Sequence, residues 1–386
     1  MDFTNEKMKK ITLMYDFFSE PGGLERVLFF QAKILKKYGY DVQLAFAYVD
    51  EKLRNEFLKD YEVIEYGSLL AKNESLQICS SLIRDSALGK LKESDMIICH
   101  SFPSSYLAYK LKKKYGIPYI QFMHHLPQFL YYANLNWANN TLKRKIAFAS
   151  GKVLRNPLKK LDSLCAKNAK MIMVNSEMVK KSVKEAYGLD STVCYPPLAE
   201  EFSKPLEKFS GTNEPFILGS GRIVKQKRFD YLIEAVSKLK AKKIPIVFAG
   251  KYDLKNKEEL ENLAKKKGVK IKFLGMLKLN ELRSIYSKAK VTVLTCPKEY
   301  FGLVPIEAAA CGCPTVAWRD GAGPEETVID DVNGFLAEAY DTNDLADKIN
   351  KCLDKKWDKN KIKNSVKKFS EEAIGKQFIS LVKKLL

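Results

Sequence analysis

The chain has 386 residues, 46% of them hydrophobic, and a formal net charge of +20. This length allows two or three domains with real hydrophobic cores. No segment approaches the roughly 18 to 20 uninterrupted apolar residues that a membrane-spanning helix needs, so we expect a soluble globular protein. The large positive charge predicts an acidic partner or surface.

The first predicted element is a strand near the N-terminus. The apolar run 11–15 is interrupted by Asp16 and lacks a small-residue cleavage site, which argues against a signal peptide. We therefore expect a cytoplasmic protein.

Short β-rich runs alternate with helical patterns along most of the chain. The predicted strands are 11–17, 41–47, 62–66, 95–99, 117–123, 170–175 and 192–195, followed by 215–220, 244–250, 270–274, 291–295 and 314–317. This alternation favours an α/β fold with parallel sheets covered on both faces.

The sequence Tyr195-Pro196-Pro197-Leu198 breaks this rhythm, and a polar segment follows it. We predict a domain boundary there, giving two doubly wound domains, 1–197 and 198–369. Ligands of such sheets lie outside the carboxyl ends of the strands, where the motifs described below also fall. The two domains are thus expected to face a central cleft. Residues 364–386 have the spacing of a final helix.

A basic amphipathic stretch lies in the first predicted domain. Between residues 143 and 170, nine basic residues accompany one acidic residue, Asp162, and apolar residues are interleaved with them. The basic residues are Lys143, Arg144, Lys145, Lys152, Arg155, Lys159, Lys160, Lys167 and Lys170. Such a stretch suits the headgroups of an anionic membrane, and Phe129–Tyr132 with Trp137 could add interfacial aromatic side chains. An ordinary solvated helix face is the alternative.

Two carboxylates surround a predicted helix start. Pro305 suits a first helical turn, and Gly312 can close the helix in a left-handed conformation. Glu299 then lies on the loop and Glu307 on the helix, with the amides of residues 301–304 between them at a terminus that favours anions. A sugar, a diphosphate and a ribose in a row would satisfy this arrangement. The alternative is a surface charge and a helix-start residue.

The eight cysteines lie mostly in apolar runs without a C-x-x-C pair, which indicates free thiols in a reducing compartment. The chain has three histidines, His100, His124 and His125. The last two end the predicted strand 117–123.

At these residues the chain resembles the family 4 retaining glycosyltransferases of the GT-B fold, in particular their mannosyltransferase-like members. Glu299 and Glu307 match the E-x7-E motif of that family. The segment 220–230 is similar to its G-R-L-x-x-x-K loop, and 21–27 to its G-G-A-E-R segment. The resemblance extends from about residue 11 to residue 375. It implies that a last helix, 370–386, returns to the first domain.

The resemblance implies a role for each matched residue. Glu307 would bind the ribose and Glu299 the donor hexose, while Arg222 and Lys227 would stabilise the leaving diphosphate. His125, in an H-x-P segment, would orient the acceptor hydroxyl or the transferred sugar, with His124 as the alternative. Other expected contacts involve small residues, backbone amides and the base site: Gly22, Gly23, Gly221, Gly250, Leu274, Met276, Phe301, Gly302, Leu303 and Val304.

The expected activity is transfer of a hexose from a GDP- or UDP-hexose donor to a lipid-linked or other saccharide acceptor at the cytosolic membrane face. No metal is expected, because no D-x-D motif is present and family members generally work without one. The alternatives are a nucleotide-sugar 2-epimerase of the same fold, which should lack E-x7-E, and a basic nucleic-acid-binding protein, for which no recognised motif is present.

Overall fold

The computed structural model describes residues 8–19, 22–67, 88–131, 142–204, 214–239 and 244–386. For residues 129 and 142–153 it describes the backbone alone. Within this part of the chain the elements form two compact units. The second unit is Pro196–Ile374, and the first unit consists of the preceding residues together with Gly375–Leu386.

The first unit contains a seven-stranded, all-parallel sheet in the order β3-β2-β1-β4-β5-β6-β7. Its strands are β1 (Lys10–Phe18), β2 (Asp41–Val49), β3 (Glu62–Glu65), β4 (Met96–His100), β5 (Tyr119–Met123), β6 (Met171–Val174) and β7 (Thr192–Val193). Every residue of β4 and β5 is buried, as expected for central strands covered on both faces. The strand order reverses between β1 and β4.

The second unit contains a six-stranded, all-parallel sheet in the order β10-β9-β8-β11-β12-β13. Its strands are β8 (Ile217–Ser220), β9 (Ile246–Ala249), β10 (Ile271–Gly275), β11 (Val291–Leu294), β12 (Thr315–Arg319) and β13 (Gly334–Glu338). The order reverses between β8 and β11. The expectation of doubly wound parallel sheets is confirmed in both units, and β13 is a strand that the sequence pattern did not indicate.

Helices cover both sheets. In the first unit they are α1 (Gly23–Lys37), α2 (Glu51–Phe57), α3 (Leu88–Leu91), α4 (Ser104–Tyr115), α5 (Gln128–Tyr131), α6 (Leu142–Asn168) and α7 (Glu177–Tyr187). From the boundary onwards they are α8 (Phe229–Val236), α9 (Leu254–Lys267), α10 (Leu279–Lys288), α11 (Leu303–Ala310), α12 (Pro324–Thr327), α13 (Thr342–Asp354), α14 (Lys359–Ser365) and α15 (Glu371–Lys383). Single 3-10 turns occur at Glu200–Ser203, Lys225–Lys227 and Lys367–Phe369.

The C-terminal segment differs from the single helix expected over 364–386. It is divided into α14, the 3-10 turn at Lys367–Phe369 and α15. Phe369 is fully buried, and its carbonyl accepts a hydrogen bond from the amide of Leu198 at 2.7 Å. This pairing with the boundary segment draws the backbone out of helical geometry, and Ser370 then starts α15 through a bond from Ala373 N to its Oγ at 3.3 Å.

Candidate active site

Helix α11 presents its N-terminus at the carboxyl edge of the second sheet. It begins at Leu303, so Pro305 lies in its first turn, as expected. Gly302, with a φ of +86°, forms the turn into the helix, a conformation that disfavours other residues. Leu303 and Val304 therefore occupy the first two helical positions, whose N–H groups lack partners within the helix. Gly312 closes the helix at φ +77°, as expected.

Lys227 and Glu299 form an ion pair beside this helix terminus. The Lys227 Nζ lies 2.5 Å from the Glu299 Oε2, and the two side chains are about a quarter and a fifth exposed. Burial alone would raise the pKa of Glu299, but Lys227, aided by Arg222, outweighs it and holds that pKa below its ordinary value. Burial opposes the charge on Lys227 as well, yet Glu299 leaves the Lys227 pKa raised. Both groups are charged at neutral pH.

The loop that carries this lysine follows β8. Arg222 is exposed on it, and the loop is held in place where the Lys227 carbonyl accepts a hydrogen bond from the Thr295 hydroxyl at 2.9 Å. Arg222, Lys227 and Glu299 are thus brought together as the sequence motifs predict. They lie where the strand order reverses, between β8 and β11, the usual ligand position in such sheets.

Glu307 is 6% exposed and is held by a tyrosine that the sequence analysis missed. The Tyr286 hydroxyl lies 3.1 Å from the Glu307 Oε2 and 2.9 Å from the Ser220 Oγ. It can donate its proton to the carboxylate while accepting the serine proton. Tyr286 is on α10 and Ser220 ends β8, so the orientation of Glu307 depends on two other elements. The only signal for Tyr286 in the sequence is its place on the buried face of a predicted helix.

Glycines end the three neighbouring strands β8, β9 and β10. Gly221, Gly250 and Gly275 all have positive φ, and the Gly250 amide donates to the Gly275 carbonyl at 2.8 Å. A Cβ at Gly250 would lie 2.0 Å from the carbonyl oxygen of Gly221. Backbone therefore lines this part of the edge. The two residues expected near the base are partly exposed Leu274, in β10, and Met276, which is 72% exposed.

Buried contacts hold the loop between Glu299 and Glu307 in place. The Phe301 side chain is buried against the ring of Phe369, with centroids 5.5 Å apart, so only its backbone can serve a ligand. The Gly323 amide donates to the Glu299 carbonyl at 2.9 Å, and a Cβ at Gly323 would lie 2.2 Å from the Phe301 Cα. Gly323, which the sequence analysis also missed, allows this close backbone packing.

In the first unit the two predicted histidines, His124 and His125, directly follow β5, and His100, which was not predicted, ends the neighbouring β4. His124 is buried, and its Nε2 lies 3.0 Å from the Nδ1 of His100. The His100 Nε2 lies 3.0 Å from the Gln31 Oε1 on α1. His125 is partly exposed and its Nδ1 donates to the Leu126 carbonyl at 2.8 Å. The contact of His124 with His100 was not expected from the sequence.

Gly22 and Gly23, expected among the ligand contacts, belong to the start of α1. Gly22 is its extended N-cap residue and Gly23 its first helical residue. A Cβ at Gly22 would lie 2.8 Å from a carboxylate oxygen of Glu25, which occupies the first turn.

A second buried cluster surrounds Asp16 on β1. Its carboxylate accepts hydrogen bonds from the Ser104 amide at 2.9 Å and from the Tyr66 hydroxyl at 3.0 Å. Burial raises the pKa of Asp16 to about 7 despite these bonds.

Among the described residues, no group of three or more His, Cys, Asp and Glu side chains could hold a metal ion. In the same part of the chain, none of the helices has the length and apolar content needed to cross a membrane. The seven cysteines that can be described are all free.

Comparison with known families and structures agrees with this geometry. Residues 21–201 match the family model described as Glycosyltransferase Family 4, and residues 200–373 match the model Glycosyl transferases group 1. The chain belongs to the glycosyltransferases, and the expected family is confirmed.

Individual relatives carry similar descriptions. An uncharacterized glycosyltransferase, MJ1178, of Methanocaldococcus jannaschii is 27% identical, covering 84% of this chain and 86% of the relative. The human alpha-1,3/1,6-mannosyltransferase ALG2 is 28% identical, covering 76% and 74%. The protein is thus a transferase enzyme.

Solved structures confirm the GT-B fold. The sucrose-phosphate synthase of Thermosynechococcus elongatus superposes with a TM-score of 0.75 at 19% identity, covering 98% of this chain and 99% of that one. Anabaena HepE in complex with UDP gives a TM-score of 0.73 at 18% identity, covering 98% and 100%. Glycosyltransferases of this fold use nucleotide-sugar donors.

Proposed function

We propose that this glycosyltransferase moves a hexose, with retention of anomeric configuration, from a GDP- or UDP-hexose to a lipid-linked or other saccharide acceptor. The observation that carries the proposal is the Lys227–Glu299 ion pair at the N-terminus of α11, with Glu307 oriented one turn further along that helix. In the proposal, Lys227 supplies positive charge beside Glu299, and both carboxylates bind hydroxyl groups of the donor.

The charge distribution suits a departing diphosphate. Negative charge develops on the leaving group during transfer, and preorganised donors stabilise it most effectively where water is excluded. Lys227 and Arg222 supply cationic donors, and the first amides of α11 add a helix terminus that favours anions. This set replaces a metal ion in the proposal, so chelation with EDTA should leave turnover unchanged.

The two carboxylates bind the neutral ends of the donor. Glu307 accepts from the ribose hydroxyls and Glu299 from the hexose. Because both oxygens of a carboxylate accept hydrogen bonds, each can hold two hydroxyls. The Tyr286 hydroxyl fixes the orientation of Glu307 before the donor arrives, which lowers the ordering cost of binding.

In the proposal, the two histidines that directly follow β5 bind the acceptor. His125 orients an acceptor hydroxyl and does not attack, because a front-face retaining reaction needs no enzymic nucleophile. A relative named as a mannosyltransferase and a structure of HepE with UDP-glucose favour mannose or glucose as the hexose.

We also propose that the basic face of α6 binds an anionic membrane on its cytosolic side. Leu154 and Leu164 are 51% and 40% exposed, and Lys160 and Lys167 are exposed beside them. At 3.6 residues per turn Lys160, Leu164 and Lys167 fall within about 60° of one another around the helix, and Leu154 lies about 80° from Leu164. Lys159 is less available, because its ammonium lies 4.8 Å from the centre of the Tyr131 ring.

The structure corrects part of the predicted membrane-binding surface. Leu130, within the stretch expected to supply interfacial side chains, is 1% exposed. The side chains of Phe129, Lys143, Arg144, Lys145 and Lys152, and all of Tyr132 and Trp137, lie outside the described residues.

Nucleotide binding tests the donor site. Calorimetric titration of UDP and of GDP should give binding by one of them, with the dissociation constant raised on the order of 10- to 100-fold in Arg222→Ala. Arg319→Ala, which removes an arginine paired with Asp330 elsewhere on the unit, is the control. Equal affinity of wild type and Arg222→Ala for either nucleotide would contradict the site. The anomeric configuration of the product, read by NMR, tests retention.

Sedimentation with vesicles tests the membrane proposal. Lys160→Glu/Lys167→Glu should release the protein from phosphatidylserine vesicles at about 0.1 M salt. The control is Lys265→Glu/Lys266→Glu on α9, which makes the same charge change at exposed positions. Release by both pairs would indicate net charge alone. If wild type but not the α6 variant retards duplex DNA in a gel-shift assay, the basic face of α6 binds nucleic acid instead.

A further inference from the structure

We propose that Gln31 and His100 are positioning residues that hold His124 in one neutral tautomer. This tautomer has its proton on Nε2 and its lone pair on Nδ1, and it prepares His124 to bind the acceptor. The inference rests on the proposed acceptor role of this end of the first unit. It concerns two residues that the sequence motifs did not indicate.

The three side chains form a continuous hydrogen-bonded series. Gln31 comes from α1, His100 ends β4 and His124 follows β5. Both links are 3.0 Å long, from Gln31 Oε1 to His100 Nε2 and from His100 Nδ1 to His124 Nε2. Their exposed fractions are 1%, 0% and 6%, so water does not compete for the inner atoms.

The direction of the series follows from proton counting. The Gln31 Oε1 can only accept, so the His100 Nε2 must carry the proton of that link. A neutral His100 then has a bare Nδ1, which can only accept from the His124 Nε2–H. His124, if also neutral, is left with its lone pair on Nδ1. One amide oxygen thereby determines the tautomers of two rings.

The surroundings keep both rings uncharged. The rings of Phe122 and His124 each lie 5.3 Å from the His100 ring and 4.9 Å from each other, so the three rings form one buried cluster. Burial lowers the pKa of His100 to about 3, and burial followed by the neighbouring histidines lowers the pKa of His124 well below its ordinary value.

His125 has the opposite tautomer. Its Nδ1 lies 2.8 Å from the Leu126 carbonyl, which can only accept, so the proton is on Nδ1 and the lone pair on Nε2. The two consecutive histidines thus carry lone pairs on different ring nitrogens. Such a pair accepts hydrogen bonds from neutral sugar hydroxyls and does not attract phosphate, which suits the acceptor.

NMR of the three histidines tests the tautomers directly. Because the chain contains no other histidine, protein labelled with ¹⁵N-histidine gives three sets of ring signals in a long-range ¹H–¹⁵N spectrum. Single His→Gln variants assign them. We expect neutral Nε2–H rings for His100 and His124 and a neutral Nδ1–H ring for His125 at pH 7. An Nδ1–H or charged ring at His124 in wild type would overturn the proposal.

Substitution of the glutamine tests whether it directs the series. In Gln31→Met the signals of His124 should move towards a mixture of tautomers, and kcat with acceptor should fall on the order of 10-fold while the donor KM stays unchanged. The control is Gln121→Met, since Gln121 is equally buried on β5 and its Oε1 has no hydrogen-bond partner among the described residues. Unchanged tautomers, or unchanged kcat despite changed tautomers, would refute the positioning role.

The wild-type spectrum remains decisive if Gln31→Met fails to fold. Failure of the proposed function has a separate signature, because wild type would then transfer no hexose to any saccharide acceptor while the histidine spectrum could still match.

Discussion

The carboxyl edges of the two sheets share one topology and differ in chemistry. In the second unit the edge carries charge, with the Lys227–Glu299 pair partly open to solvent. In the first unit it carries the buried neutral series Gln31, His100 and His124, and the buried carboxyl of Asp16 lies on the neighbouring β1. In each sheet these groups lie near the point where the strand order reverses.

In the proposed reaction, this difference lets one architecture serve two kinds of ligand. An anion is held by cations and helix amides whose charge survives burial because opposite charges lie within reach. A neutral hydroxyl needs acceptors of fixed direction, which buried uncharged rings provide. The four variants below test this contrast, from the largest expected effect to the smallest.

Removal of the lysine should have the largest effect. Lys227→Ala takes away the cation proposed to stabilise the leaving group and leaves Glu299 without its lysine partner, so kcat should fall on the order of 100- to 1000-fold. Steady-state turnover of the donor measures it. Lys225→Ala, an exposed lysine on the same loop, should retain activity, and similar turnover in both variants would remove the assignment.

Loss of the second carboxylate should act mainly on binding. Glu307→Ala should weaken nucleotide binding on the order of 10- to 100-fold, because hydrogen bonds to a charged acceptor are among the stronger ones. Calorimetric titration of the free nucleotide measures the change. Glu258→Ala, at an exposed position on α9, provides the comparison. If Glu307→Ala binds the nucleotide with wild-type affinity, Glu307 does not bind the donor.

Asp16 should make the stability of the first unit depend on pH. Its folded pKa of about 7 lies above the ordinary value near 3.8, so folding favours the protonated carboxyl. This stabilisation is complete below about pH 4 and is lost as the pH rises through about 7. Asp16→Asn should remove that loss, narrowing the pH dependence of the unfolding free energy by a few kcal/mol.

Urea unfolding at pH 4.5, 6 and 8 measures this difference. Asp60→Asn, which changes an exposed carboxylate, should follow wild type at every pH. Parallel curves for wild type and Asp16→Asn would show that the carboxyl titrates alike in the folded and unfolded chain.

The smallest expected effect comes from a single hydroxyl. Tyr286→Phe removes the bond to Glu307 without opening a cavity, so the donor KM should rise roughly 5- to 10-fold with kcat little changed, equivalent to about 1 kcal/mol. Tyr115→Phe, a partly exposed tyrosine in the first unit, is the matched substitution. A fall in kcat at constant KM would instead assign Tyr286 a role in the transition state.

Sequence reasoning recovered what depends on neighbouring residues. The strand, loop and helix around Arg222 and Lys227 and the helix end at Gly312 follow from short stretches of chain. Strand β13 was not predicted, because Gly334–Glu338 contains no β-branched residue and no regular alternation of apolar and polar residues.

The connections made by tertiary folding could not be read in this way. Gln31 and His100 are 69 positions apart, and Tyr286 and Glu307 are 21 apart. No local pattern indicates that either pair meets, since each depends on how separate elements pack on one sheet. The charged groups of the site were therefore predictable, while the groups that orient them were not.

The overlap that any side chain at Gly250 would make with the Gly221 carbonyl limits how this enzyme can be redesigned. If the donor binds at this edge as proposed, directed evolution toward a different base or sugar cannot gain selectivity at Gly250, because the position admits no larger residue without moving the adjoining strand end. Mutant libraries would be better directed at Met276, which is 72% exposed, and then at the partly exposed Leu274.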